Sequence, residues 1–267
     1  MKKKAFLWGL AILITLSGVY YTRLTGPTKP VRGSVALDDD LISYRLIRSY
    51  AGPEDAPVKI LVENDNITGS YLYKRTPSND SWTEADLVRE DDYLVAYIPQ
   101  QPPAGKVMYQ LTLEKDDERV KLTEYPIVIR FRGEVPAWAM IPHILLMFLA
   151  LLFSTRAGLA GIFRERTFAL TLWTLVLIGV GGLVFGPIVQ KFAFGDWWTG
   201  WPFGTDLTDN KTAVMFILWT LAAVMVFRNK YHRTWVIVAA VMLLLIYLIP
   251  HSMMGSEIDF TQETTIQ

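Results

Sequence analysis

The stretch Phe168-Ala169-Leu170-Thr171-Leu172-Trp173-Thr174-Leu175-Val176-Leu177-Ile178-Gly179-Val180-Gly181-Gly182-Leu183-Val184-Phe185-Gly186-Pro187-Ile188-Val189 contains no Asp, Glu, Lys or Arg. A bilayer hydrocarbon core about 30 Å thick needs roughly 17–25 apolar helical residues to cross it. This segment meets that requirement by itself. Working outward, four more runs approach the same length: Ala5–Tyr21, Ala137–Phe153, Thr212–Phe227 and Thr234–Ile249. None carries a charged residue, as expected where a charge at mid-bilayer is costly. The sequence therefore predicts a membrane α-helical bundle of five transmembrane helices.

The whole composition fits that reading. Of 267 residues, 51% are apolar and 19% charged, against about 25% charged in an ordinary soluble domain. Lys plus Arg number 26 and Asp plus Glu 26, so the formal net charge is zero. A disordered chain and a strongly basic nucleic-acid binder are both excluded. The absence of cysteine excludes disulfides, thiolate metal sites and Cys nucleophiles.

The neutral total is unevenly distributed. Residues 23–136 hold 15 basic and 19 acidic side chains, whereas residues 137–267 hold 8 and 7. A polar domain is thus inserted between membrane segments. Orientation follows from Lys and Arg, which favour cytoplasmic loops. With Lys2, Lys3 and Lys4 inside, Arg156–Arg166 and Arg228–Arg233 are also inside, giving nine basic residues against one acid, Glu165. The loop Gln190–Lys211 and the tail from His251 to Gln267 then face outward with two basic residues and six acids. The organisation expected is an anchor at 1–22, an extracytoplasmic domain at 23–136, a four-helix membrane domain at 137–250 and an external polar tail at 251–267. Ser17-Gly18-Val19-Tyr20-Tyr21 places aromatics where a signal peptidase needs small residues, so the first helix reads as an uncleaved anchor.

The inserted segment reads as an all-β sandwich. Strand candidates are Leu41–Ser49, Val58–Glu63, Gly69–Arg75, Tyr93–Ile98, Lys106–Leu113 and Ile127–Arg132, with weaker runs at Trp82–Val88 and Arg119–Glu124. Alternation at Ile42, Tyr44 and Leu46, and at Val107, Tyr109, Leu111 and Leu113, predicts one buried and one wet face. Seven or eight strands in about 100 residues fit an immunoglobulin- or fibronectin-like sandwich. The pattern Tyr71-Leu72-Tyr73-Lys74, Trp82, Tyr93-Leu94-Val95-Ala96-Tyr97-Ile98-Pro99 and Tyr109-Gln110-Leu111 resembles extracellular immunoglobulin-like domains of bacterial envelope proteins. The domain has neither His nor Cys. Its acid runs Asp38-Asp39-Asp40, Glu90-Asp91-Asp92 and Asp116-Asp117-Glu118 fall where turns are expected, as cation ligands or, more simply, as solvated tips.

Two groups of residues attract a functional reading. The first is the loop 190–211, with Trp197, Trp198 and Trp201 followed by Asp206, Asp209, Asn210 and Lys211. It reads either as an interfacial aromatic belt followed by a helix cap from Thr208 or Asp209, or as a ledge whose polar residues face a ligand or partner. The second group is His143, about two turns inside the second helix, with His251 and Glu257 beyond the fifth. Two neutral imidazoles can hold a haem b iron axially, or share a divalent metal with Glu257. Gly182 and Gly186 form a small-xxx-small pair suited to close helix packing, and a kink is expected near Pro187.

The strings Gly186-Pro187-Ile188-Val189-Gln190-Lys191, Trp198-Thr199-Gly200, Asp206-Leu207-Thr208-Asp209-Asn210-Lys211-Thr212 and Pro250-His251-Ser252 with Gly255-Ser256-Glu257 resemble a family of uncharacterised bacterial multi-pass integral membrane proteins. That resemblance implies a bacterial envelope location and brings no catalytic residue. The chain shows no local signature of a hydrolase. The expected function is an inner-membrane envelope interaction or assembly component whose external sandwich meets a protein partner. The alternative is a haem b or metal-binding redox protein using His143 and His251 at the external membrane face. The partners expected are the lipid bilayer and an envelope protein, with no nucleic acid.

Overall fold

A computed structural model describes residues 2–229, 232–250, 255 and 257–262. The chain divides into two compact units, one of residues 1–27 with 135–256 and the other of residues 28–134 with 257–267.

The first unit is helical. Its rods are α1 (Lys2–Thr25), α2 (Ala137–Ile162), α3 (Phe168–Phe194), α4 (Leu207–Phe227) and α5 (His232–Leu248). The first four are long and apolar enough to cross a membrane, and α5 is a shorter apolar helix. Two boundaries differ from the hydropathy reading. α2 continues nine residues past Phe153 because Ser154, Ala157, Gly158 and Gly161 are buried. A Cβ on Gly158 would lie 2.7 Å from the Ala240 Cβ, and one on Gly161 2.9 Å from Ile237 Cγ1. That small-residue face packs directly on α5. Arg156, expected in a loop, therefore lies within the helix. α4 begins five residues before Thr212, which brings Asp209 and Lys211 inside a helix as well.

α3 is one rod with an irregular middle. Gly179–Phe185 is π-helical, and the α-helix resumes at Gly186–Phe194. The irregularity expected at Pro187 thus appears as a wide turn just before it, where proline contributes no N–H to the ladder. Gly181 and Gly182 provide the close approach: Cβ atoms there would lie 2.8 Å from Leu146 Cβ and 2.7 Å from Thr212 Cγ2. Gly186 has only ordinary contacts, its nearest neighbour being His143 Cε1 at 3.8 Å. The tight pair is consequently Gly181 with Gly182, and the interaction is internal to the bundle. Trp219, fully buried, lies in the apolar core with Leu151, Ile178 and Val236.

The second unit is β-rich, with β1 (Val31–Leu37), β2 (Asp40–Leu46), β3 (Ser49–Tyr50), β4 (Ala56–Leu61), β5 (Thr68–Arg75), β6 (Thr83–Asp86), β7 (Val88–Glu90), β8 (Tyr93–Ile98), β9 (Lys106–Lys115), β10 (Glu118–Lys121) and β11 (Ile127–Phe131). β1 pairs with β2; β3, β11, β9, β5 and β6 form the main sheet, with β10 also on β9; and β4, β8 and β7 form a third. A single apolar cluster, including Leu46, Ile60, Leu94, Leu111 and Phe131, is shared by all three sheets. Two segments expected as single strands are each divided between sheets. Leu41–Ser49 breaks after Leu46, and Trp82–Val88 breaks at Leu87, whose N–H donates to the Gly69 carbonyl at 2.8 Å. β1 lacks a strong apolar run because it is a half-exposed strand whose one ladder partner among the described residues is β2.

The three acid runs share one conformation. Register pairs Leu37 with Asp40, Glu90 with Tyr93 and Lys115 with Glu118, leaving two-residue turns at Asp38-Asp39, Asp91-Asp92 and Asp116-Asp117. The first Asp of each has a left-handed φ, at 53°, 49° and 52°. Aspartate tolerates that region better than most residues, and tight hairpins require it. Lys115 Nζ also donates to Asp38 at 2.7 Å and Asp40 at 3.3 Å, tying one acidic hairpin to β9. Its ammonium holds the Asp38 carboxyl below the usual carboxylate range.

Candidate functional site

Asp209 sits in the first turn of α4, opposite the loop that enters the helix. Its Oδ2 accepts from Thr199 N at 2.7 Å, Gly200 N at 3.1 Å, Gln190 Nε2 at 3.0 Å and Thr199 Oγ1 at 3.3 Å. Asn210 Oδ1 accepts from Trp201 N at 2.7 Å. These two side chains replace a backbone ladder for a loop whose N–H groups would otherwise be buried without partners. The cap itself comes from neither Thr208 nor Asp209: Asp206 Oδ1 accepts the Thr208 N–H at 2.7 Å. An Asp at this position satisfies an orphan N–H and favours the positive helix end.

Glycine permits the close fit. A Cβ on Gly200 would fall 2.6 Å from Asp209 Cβ and 2.8 Å from Asn210 Oδ1. The loop begins where α3 ends in left-handed Gly195, φ 90°, and it also bonds to itself through Phe203 N and Gly204 N on the Gly200 carbonyl. Trp197, Trp201 and Phe203 remain exposed, the last two at 78% and 82%, while Trp198 Nε1 donates to the Trp201 carbonyl at 3.1 Å. Aromatics with one polar atom suit a membrane–water interface. The polar members Asp206, Asp209 and Asn210 thus hold the loop and the helix start, and the aromatics project from it.

Behind the loop, α2, α3, α4 and α5 enclose a cavity of about 150 Å³. Its polar lining comprises His143, Gln190, Asp209 and Lys211 together with Asp206, Thr208, Thr212 and Tyr247, and Met147 and Met215 are among its apolar walls. His143 Nδ1 lies 2.8 Å from the Gly181 carbonyl in the π turn. A carbonyl only accepts, so Nδ1 carries the hydrogen and Nε2 of the neutral ring is left as an acceptor. Lys211, 6% exposed, donates to the Ile249 and Pro250 carbonyls at 2.9 and 3.3 Å, closing the end of α5. Hydropathy placed this lysine and Asp209 in a loop. Their burial inside α4 makes the membrane half less devoid of ionisable groups than its apolar runs imply, and such residues mark functional sites in membrane proteins.

His143 lines the cavity of the helical unit, whereas Glu257 pairs with Lys106 in the β unit. His251 lies outside the described residues. No group of three His, Asp or Glu suited to a metal ion occurs among the described residues.

Sequence reasoning missed Gln190 and Thr199 as parts of the site. Gln190 is the first strongly polar side chain after the apolar run of α3, a position read as the start of a loop. It also missed a second polar knot. Arg156, 4% exposed, donates to Glu165 at 2.6 Å and lies over the Trp8 ring at 5.6 Å, bridging α1, α2 and the turn beyond α2. That hydrogen bond holds the Glu165 carboxyl below its ordinary range.

The β unit offers a different kind of surface. Ala56, Val58 and Ile60 of β4 face Ile98, Ala96 and Leu94 of β8 in the core, so the intervening pairs point away from it. Those outward pairs are Pro57 with Tyr97, Lys59 with Val95 and Leu61 with Tyr93. Val88 of β7 lies beside Val95. Leu61, Val88, Tyr93 and Tyr97 are 36–49% exposed around a fully buried Val95. Glu90 accepts from Lys59 at 2.9 Å and from the Tyr97 hydroxyl, so an ion pair links β4 to β7 across this face of β8. No protein-family model matches this chain, and no curated protein matches it in sequence.

Proposed function

We propose that the protein is a bacterial inner-membrane interaction or assembly component, with its N-terminus cytoplasmic and an extracytoplasmic immunoglobulin-like sandwich that binds an envelope protein. The observation that carries this reading is the outward face of the β4–β8–β7 sheet. A strand face left to water should alternate to polar residues, yet here Leu61, Val88, Tyr93 and Tyr97 leave apolar and aromatic surface exposed on both sides of the Lys59–Glu90 ion pair. Such patches with a polar rim are characteristic of protein-binding surfaces, and tyrosine is enriched in their centres. The long apolar helices support the membrane location, and the alternating, turn-punctuated strands support the sandwich.

The test is photocrosslinking in cells from a benzophenone side chain placed at Tyr97, with Asp117 in the β9–β10 turn as the control position. One dominant envelope-protein adduct from position 97, absent from position 117, is expected. An absence of adducts, or the same ladder from both positions, would overturn the assignment.

A further inference from the structure

The cavity of the helical unit carries a ligand assignment independent of the partner-binding face. Its volume, about 150 Å³, matches the kind of cavity that accepts one benzene-sized ring. The surface of the cavity is mostly apolar, with Met147 and Met215 among its walls, while half of its lining residues carry a polar group, most of them already bonded within the bundle. This pattern is typical of a site that orients an uncharged ring.

The polar groups have capacity to spare. Asp209 uses Oδ2 for all four of its hydrogen bonds, and Oδ1 accepts none among the described residues. With Nδ1 committed to Gly181, His143 Nε2 likewise accepts none among the described residues. Lys211 donates two of its three N–H bonds to backbone carbonyls. Asp206, Thr208 and Tyr247 have partners of their own, and Thr212 donates to the Thr208 carbonyl. The groups left open on Asp209 and His143 therefore accept and Lys211 alone of these three offers a donor, a balance that favours a ligand that donates more than it accepts. A quinone ring presents acceptors alone, whereas its hydroquinone presents two O–H donors. We infer that the cavity between α2, α3, α4 and α5 binds the head group of a membrane-soluble hydroquinone, with its hydroxyls donating to Asp209 and His143. Flanking helices that are themselves long and apolar suit a ligand delivered from lipid.

The test uses the full chain in nanodiscs, titrated calorimetrically under argon with a short-chain alkyl hydroquinone, empty nanodiscs being subtracted. One-site saturation is expected, with the hydroquinone dimethyl ether at least about tenfold weaker because it donates no hydrogen bond to a charged acceptor. Gly186 lines the cavity with room for a Cβ, so Gly186→Leu should fill it and abolish the saturable heat. His143→Phe, which keeps the ring shape, should weaken the hydroquinone about tenfold and leave the ether unchanged. The inference is overturned if no saturable heat exceeds that of empty nanodiscs, or if the ether binds as well as the hydroquinone. Undiminished binding by a folded Gly186→Leu or His143→Phe protein would overturn it equally.

Discussion

At the scale of single residues, the helical unit depends on side chains that substitute for backbone partners. Asp209 is the clearest case, with one carboxylate oxygen satisfying two loop N–H groups, a hydroxyl and an amide. Removing it leaves the Thr199 and Gly200 N–H groups unpaired in a region where Gly200 is buried. Each buried unsatisfied donor costs about 1–3 kcal/mol. Asp209→Ala should therefore destabilise the protein by about 3 kcal/mol, and Asp209→Asn, which keeps an acceptor, by about half of that. Thermal unfolding in detergent checks the order of the three proteins. Limited proteolysis should cut the alanine variant within 196–206 first. The sequence pointed to the residues of this loop without revealing their direction. An aspartate beside a Trp-rich segment has the same appearance whether it faces a ligand or its own backbone. The difference lies in the Gly200 approach to α4, which no local pattern encodes.

Helices and strands were legible to the extent that their burial was apolar. Tyr93–Ile98 is legible to the residue because an uninterrupted apolar run is bounded by Asp91-Asp92 on one side and Pro99 on the other. α2 was cut short because its last three turns bury small and polar residues against α5, and hydropathy registers those as an end. The same physics makes glycines of one helical protein unequal. Gly158 is 2.7 Å from the Ala240 Cβ at the position where its own Cβ would stand, whereas Gly9 of α1 has nothing within 4 Å. Gly158→Leu must separate α2 from α5 and should cost about 1–3 kcal/mol, the usual penalty of overpacking. Gly9→Leu meets no neighbour and gains the better helix former, so its unfolding midpoint should stay at or slightly above that of the parent. A reversed order would show that the α2–α5 contact is not close-packed in the folded protein.

At the scale of the whole molecule, orientation rests on where charge falls between helices. The structure moves Arg156 into α2, where Glu165 answers its charge. Arg164, Arg166 and Arg228 remain between or beyond the helix ends, as does the sequence position of Lys230, while Arg233 lies in the first turn of α5. If all five helices span, the bias persists with one fewer arginine between helices, and Lys2, Lys3 and Lys4 fall on the same side by the parity of the crossings. A sequence shows this bias directly, because insertion reads the charges flanking a helix and not their final contacts. A chain without cysteine allows the arrangement to be tested one site at a time. Single cysteines at the exposed positions Asn79, Asp196 and Arg166 sample the β unit, the Trp loop and the turn between α2 and α3. Between positions 79 and 196 the chain passes through α2 and α3, and therefore crosses twice if both span. An impermeant maleimide applied to intact spheroplasts should label Asn79→Cys and Asp196→Cys, and reach Arg166→Cys only after permeabilisation. Labelling of position 166 alone would invert the orientation. Labelling of position 79 without 196 would mean that one of α2 and α3 does not cross.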